Sequence, residues 1–364
     1  YVTLYHIIII SKPLYRGFVF VNLTISKYIQ CYNKYIMTNS WSNEYPKHLS
    51  DNLENIDHET IIDLLESSSD TYEFKTAYYS LNSSLNYKMT SLLSKRLAAY
   101  LRYLGVKKNT KIAIMLPNLL TYPISLFGSY YCGATVININ PMYKTREIED
   151  LLIDSEAEYI FVLDKFYSEL KPCIKKSNLK KIIICKINDL LNPFMKLLVP
   201  IIMIYKKQSV TIQNNNNIIY FKDIISNNFG YEDVYVESED IALLQYTGGT
   251  TGKSKAAILT HKNLLSNVQQ VSNWIEPHIK PGEEIIITAL PLFHIFSFTV
   301  NCLTFLKIGA ENVLIANPRD LNSFIKILKK KKFTVITAVN TLFNLLMTSK
   351  KFKNLDFSSF KFSV

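Results

Sequence analysis

Residues 245–261 read QYTGGTTGKSKAAILTH, an apolar run, a burst of glycine, threonine and lysine, then another apolar run. Three of the chain's 10 glycines fall here, at Gly248, Gly249 and Gly252. Thr247, Thr250 and Thr251 add hydroxyl donors, and Lys253 and Lys255 add positive charge. Glycine permits positive φ and lets backbone amides approach an anion closely, so this composition suits a phosphate cradle. A hairpin with polar filler would not concentrate glycine so strongly in so glycine-poor a chain. The loop is not of the Walker type, which needs G-x-x-x-x-G-K-[ST]. GKS stands at 252–254, but position 247, where the first glycine belongs, is Thr. A Walker lysine also opens a helix. Here AAILT (256–260) reads as a strand, and the helix starts later, with Thr260 as N-cap and His261 in its first turn. The loop therefore joins strand to strand.

The second candidate is His294, in ALPLFHIFSFTVNCL (289–303). A lone histidine in an apolar run is more often a core residue than a catalyst. The preceding Pro291-Leu292-Phe293 favours the functional reading, in which a neutral imidazole donates a hydrogen bond without acting as a strong base.

These residues need a scaffold, and the flanking pattern supplies an α/β one. MTSLLSKRLAAYLRYLGV (89–106) has helical spacing and stops at Gly105, a C-cap. KIAIML (111–116) reads as a buried strand, 122–132 as a helix and ATVININ (134–140) as a strand. REIEDLLIDSEA (146–157) is helical, and EYIFVL (158–163) and KKIIIC (180–185) are strands. Such alternation implies a mostly parallel sheet covered by helices on both faces. The interval 188–230 breaks the rhythm with LLVPIIMIY (197–205), Lys206, Lys207 and the Asn214–Asn217 run. It reads as an irregular insertion packed by one apolar flank, or as an apolar patch with basic neighbours that touches a membrane. Residues 1–36 show no clean period and precede the first methionine, Met37. They read as an unassigned extension, such as translated upstream sequence.

At 364 residues, with 48% hydrophobic and 20% charged residues, the chain can bury a sizeable core. The net charge of +11 comes from 41 basic residues, of which only Arg16, Arg96, Arg102, Arg146 and Arg319 are arginines. No arginine stripe interleaves with aromatics, so nucleic acid is not an expected partner. Cys31, Cys132, Cys173, Cys185 and Cys302 are widely spaced, which fits core thiols in a reducing compartment and neither a disulfide framework nor a metal site. No apolar run reaches the ~18 residues of a membrane span. Ile7–Ile10 is cut short by Lys12, Pro13 and Arg16 and lacks a cleavage site for a signal peptide.

The loop resembles the motif YTSGTTGxPKG of the adenylate-forming superfamily, which comprises AMP-forming acyl-CoA synthetases, firefly luciferase and peptide-synthetase adenylation domains. Gly249, Thr250, Thr251, Gly252 and Lys255 match it, whereas Gly248, Ser254 and Ala256 replace its Ser, Pro and final Gly. The segment 289–303 is similar to the family's second motif, beside the acyl-adenylate. NPRD (317–320), TAVNTLFNLLM (337–347), LDFSS (355–359) and the TGG loop variant resemble the branch of bacterial long-chain fatty acid–CoA ligases.

The resemblance implies that 37–364 is the large AMP-binding N-terminal domain of the adenylate-forming fold, truncated, with the small C-terminal domain absent. It implies a ligase reaction in two steps, using ATP, Mg2+, a fatty acid and coenzyme A. A carboxylate attacks the α-phosphate to give acyl-AMP and pyrophosphate, and the coenzyme A thiol then displaces AMP. Residues 247–255 would hold the phosphates, His294 would lie near the carboxylate, and Val339, Leu342 and Phe343, with Leu346, would line an acyl tunnel or simply pack the core. No metal ligand is identifiable. The later family motifs are not found before Val364, so the expectation is a fragment that does not make acyl-CoA alone. An adenylating enzyme for another carboxylic acid and a non-catalytic remnant stay open as alternatives. A cytoplasmic protein, peripheral on the inner face of the cell membrane and able to form a homodimer, fits this reading.

Overall fold

The computed structural model describes residues 45–46, 48–49, 53, 55–205, 212, 216–227, 229–247 and 254–364. Two units divide the chain, Tyr1–Leu53 and Glu54–Val364, and the second contains both sheets. Residues 1–36, Lys206, Lys207 and most of the glycine-rich loop, for which the sequence raises expectations, lie outside the described residues.

The larger sheet has seven strands in the order β7-β6-β5-β3-β4-β8-β9. These are β3 (Lys111–Met115), β4 (Thr135–Asn138), β5 (Tyr159–Leu163), β6 (Lys181–Cys185), β7 (Ile218–Tyr220), β8 (Ile241–Thr247) and β9 (Lys255–Thr260). All neighbours run parallel except β8 and β9. The order reverses at β3: β4 lies on one side of it and β5 on the other. Ligands of open α/β sheets bind beyond the carboxyl ends of strands at such a point.

The second sheet has six strands in the order β13-β12-β10-β11-β1-β2. They are β1 (Thr76–Ser80), β2 (Ser83–Asn86), β10 (Ile285–Thr288), β11 (Glu311–Leu314), β12 (Val335–Thr337) and β13 (Phe362–Ser363). Only the β1–β2 hairpin is antiparallel. Its two-residue loop, Leu81 (φ 47°) and Asn82 (φ 59°), has the left-handed conformation whose twist matches a tight hairpin. The Tyr79 hydroxyl donates to Asn82 Oδ1 across the turn, at 2.7 Å.

Strand alternation sorts the core into layers. Ile112, Ile114, Val136, Phe161, Ile183 and Leu243 face one cluster, while Ala113, Met115, Ile137, Val162, Ile184 and Leu244 face another. The first cluster lies between the sheets. It takes in helices α1 (Ile61–Thr71), α2 (Tyr87–Tyr103) and α3 (Thr121–Tyr131), of which α3 is buried along its whole length. Helix α4 (Thr145–Ser155) covers the other face of the large sheet. Gly105, with φ +93°, ends α2 as its sequence position suggests; a Cβ there would meet only Tyr159 Oη at 3.8 Å, so conformation and not space calls for glycine.

The interval 188–230 is not irregular throughout. It contains α5 (Pro193–Tyr205), with Pro200 inside it, and β7. Apolar residues occur on both sides of this helix. Val199 is buried and Met195 packs on the core, while Phe194, Leu197 and Ile201 are 72%, 75% and 64% exposed. An apolar residue at nearly every position hides the 3.6-residue period, which is why the sequence reads as patternless there.

Helix α6 (His261–Ile275) starts where expected. Thr260 Oγ1 accepts from the Asn263 N–H and Asn263 Oδ1 accepts from the Thr260 N–H, a reciprocal cap. Residues 295–307 form one helical segment whose middle, Phe298–Thr304, is a seven-residue π-helix. Helices α7 (Leu321–Lys330) and α8 (Asn340–Met347) cover the outer face of the second sheet, where Phe324, Leu328 and Leu346 are buried.

Candidate active site

The glycine-rich loop joins two antiparallel strands, as its flanks require. β8 and β9 pair from Ile241↔Thr260 to Thr247↔Lys255, so Thr247 and Lys255 close the hairpin as directly opposed partners. Gly248, Gly249, Thr250, Thr251, Gly252 and Lys253 lie outside the described residues.

Opposed residues of an antiparallel pair share a face, and residues two apart along a strand share one too. Gln245, Thr247 and Lys255 therefore project to one face, and Tyr246 and Ala256 to the other. Tyr246 packs in the cluster with α4, and its hydroxyl donates to Asp154 Oδ2 at 2.6 Å. Burial and the Asp154 carboxylate push that phenol up, so it stays protonated and keeps the end of β8 fixed. On the opposite face, Gln245 is buried and its Nε2 donates to the Phe293 carbonyl at 3.4 Å. The loop stem thus borders the turn that carries His294.

His294 is exposed, and the core alternative for it does not hold in this fold. Its backbone caps the segment 295–307: the Phe298 N–H donates to its carbonyl at 2.9 Å, and its own N–H donates to the Pro291 carbonyl at 3.0 Å. The 288–293 backbone before it is held by side chains that the sequence reading did not single out. Asn118 Nδ2 donates to the carbonyls of Thr288 (3.0 Å) and Leu290 (2.9 Å), and its Oδ1 accepts from the Leu292 N–H (2.9 Å). The Tyr122 hydroxyl lies 2.9 Å from the Leu292 carbonyl and 2.9 Å from Asn138 Oδ1. Ser297 Oγ donates to the Leu290 carbonyl at 3.0 Å. Farther along, the buried Asn301 amide donates to Thr288 Oγ1 at 2.9 Å and Thr337 Oγ1 at 2.8 Å, tying the π-helix to β10 and β12.

The three acyl-pocket candidates are divided. Leu342 and Phe343 pack against the outer cluster of the second sheet, and Val339, just beyond β12, is 54% exposed. β12 is the parallel neighbour of β10, so Val339 and the 288–294 segment leave the same edge of the sheet. His261 is buried away from solvent in the first turn of α6. Its Nδ1 accepts the Ile61 N–H at 3.2 Å, which caps α1. Burial pushes its pKa down to about 4, so the ring is a neutral acceptor and not part of the exposed site. Among the described residues no three His, Cys, Asp or Glu side chains converge in a way that could hold a metal ion.

The AMP-binding enzyme family model matches residues 65–364. The chain belongs to the AMP-binding enzyme family. Among curated members, a long-chain-fatty-acid–CoA ligase of Escherichia coli is 40% identical over 332 residues, covering 90% of this chain and 59% of that protein. A namesake from Bacillus subtilis is 29% identical, covering 88% of this chain and 57% of that protein. The 4-coumarate–CoA ligase 1 of Solanum tuberosum is 26% identical and covers 75% of this chain. Among solved AMP-binding folds, a long-chain-fatty-acid-CoA ligase from Archaeoglobus fulgidus superposes with a TM-score of 0.69 at 25% identity, over 85% of this chain and 57% of that one. The chain spans about 59% of the length of the first curated relatives it matches.

Proposed function

We propose that this chain carries the nucleotide- and carboxylate-binding part of an AMP-forming long-chain fatty acid–CoA ligase, with ATP, a fatty acid and coenzyme A as substrates. The observation that carries the reading is the shared face: the residues closing the glycine-rich hairpin, Thr247 and Lys255, project to the side where Gln245 meets the His294 turn. In the first step a carboxylate oxygen forms a bond to the α-phosphorus, and the bond to the pyrophosphate oxygen breaks. In the second, the coenzyme A sulfur attacks the acyl carbon and AMP leaves. The loop 247–255 and Lys255 would hold the β- and γ-phosphates as charge moves onto pyrophosphate, each lost donor costing ~3–4 kcal/mol of transition-state stabilisation. His294, exposed beside that stem, would orient the carboxylate by a hydrogen bond. Val339, at the same edge, is the acyl-pocket candidate best placed to meet a chain leaving this site, whereas Leu342 and Phe343 serve packing. Magnesium would neutralise phosphate charge; the described residues offer it no ligand cluster, and no step is assigned to it.

The long-chain substrate is favoured by the closer relatives, 40% identical against 26% for the coumarate enzyme. A non-hydrolysable palmitoyl-adenylate analogue should bind the full chain at least tenfold more tightly than a 4-coumaroyl-adenylate analogue in calorimetry. Equal affinities, or the reverse order, would remove the fatty acid from the reading.

The dependence on ATP and coenzyme A supports a cytoplasmic site of action. No described helix is long and apolar enough to cross a membrane. Peripheral contact is proposed through α5, whose exposed Phe194, Leu197 and Ile201 recur at helical spacing beside Lys196.

A further inference from the structure

The backbone from Thr288 to Phe293 belongs to the second sheet's side of the molecule, yet it is gripped from the first. Asn118 follows β3, Tyr122 is the second residue of α3, and Gln245 lies on β8, two residues before Thr247. Asn118 spends both amide protons and its oxygen on Thr288, Leu290 and Leu292. An amide that satisfies three backbone groups fixes their mutual geometry, since moving any one of them breaks a bond. Tyr122 adds a fourth attachment at the Leu292 carbonyl. Burial pushes its phenol well up, so it is a donor at any working pH. One hydroxyl proton cannot serve both of its 2.9 Å neighbours at once. Asn138 Nδ2 is buried without a partner. Turning the Asn138 amide would let it donate to Tyr122 and free the phenolic proton for Leu292. Gln245 then holds the next carbonyl, that of Phe293. The exposed residue that follows is His294.

We infer that Asn118, Tyr122 and Gln245 are positioning residues that set the His294 turn beside the hairpin stem closed by Thr247 and Lys255. β8 carries both the grip on Phe293 and Thr247 at the hairpin stem, so one strand fixes the separation between that stem and the His294 turn. Asn118 and Tyr122 sit beyond the carboxyl end of β3, where the strand order reverses and a ligand is expected. The buried Asn301 pins the far side of the same segment to β10 and β12, leaving residues 293–296 as its outward part. Orientation of this kind matters because misplacing a reacting group by about 1 Å can cost on the order of a hundredfold in rate.

This inference rests on the ligase reading, and its test separates the two. Tyr122→Phe removes one hydroxyl with little change in shape, and Asn118→Ala removes the three-way amide. Calorimetry on the full chain would give Kd for AMP and for the palmitoyl-adenylate analogue, and carbon-13 histidine NMR would report on His294. Tyr122→Phe should weaken the analogue about tenfold, the scale of one well-placed hydrogen bond, leave AMP within about twofold, and shift the His294 resonance. A merely structural role would lower both affinities together with the melting temperature. That pattern, or a variant with unchanged analogue affinity and unchanged His294 resonance, would overturn the proposal while leaving the ligase reading intact. If wild-type protein binds neither AMP nor the analogue, the ligase reading fails and this inference with it. Should Asn118→Ala not fold, Tyr122→Phe alone decides.

Discussion

Burial holds the His261 imidazole uncharged, with its pKa pushed down to about 4 and only partly restored by the nearby Asp240 carboxylate. The unfolded chain binds a proton near pH 6.5 and the folded one only near pH 4, so this group's contribution is present above pH 6.5 and fades as pH falls towards 4. At 1.36 kcal/mol per pKa unit, the loss is about 3 kcal/mol. Asp189 works in the opposite sense, because burial raises its carboxyl to about 6, and its contribution is lost as pH rises. Only a difference measurement isolates the histidine. The stability gap between wild type and His261→Gln, from urea titrations, should shrink by about 3 kcal/mol between pH 7 and pH 4. A gap that is constant over that range would show that the ring is not held neutral. His261 and His294 illustrate what single residues disclose in advance. The Pro-aromatic-His context marked His294 as a candidate, and Thr260 as N-cap marked the helix start that has His261 in its first turn. The grip of Asn118, Tyr122 and Gln245 on a backbone 48 to 174 positions away was hidden, because each stands in an apolar run and its partners there are main-chain groups that any sequence provides.

At the scale of elements, α5 is the part on which the proposed peripheral contact rests. Its stripe of Phe194, Leu197 and Ile201 faces outward while Met195 and Val199 face the core. Fully burying each exposed side chain would be worth roughly 1.5–3 kcal/mol, and partial insertion at a lipid interface correspondingly less. Basic neighbours favour anionic headgroups. Leu197→Glu should reduce co-sedimentation with phosphatidylglycerol-containing vesicles severalfold, without lowering the melting temperature, since the side chain is 75% exposed. Undiminished sedimentation of the variant, or none by wild type, would remove α5 from any membrane contact. The sequence foresaw the apolar run but not its helix, since periodicity vanishes when both faces are apolar. The β1–β2 hairpin was missed for a related reason: its turn is Leu81-Asn82, without the glycine that usually announces such a loop. Where short β-branched strands alternate with helices, as from β3 to β6, boundaries were legible to within about two residues.

Across the whole molecule, two sheets of mostly parallel strands are joined through a shared helical layer, and the candidate site lies where their carboxyl edges face one another. That the loop joins strand to strand could be read from AAILT after Lys255, and the pairing is antiparallel. That its stem meets the His294 turn could not, since it depends on how the sheets pack. The central claim is that residues 247–255 bind nucleotide phosphates. Calorimetric titration of the full chain with Mg-ATP, beside Thr251→Ala and Lys255→Ala, tests it most directly. Wild type should bind, and each variant should bind at least tenfold more weakly, because each loses a donor or a charge at the phosphates. Wild-type affinity in both variants would contradict the account.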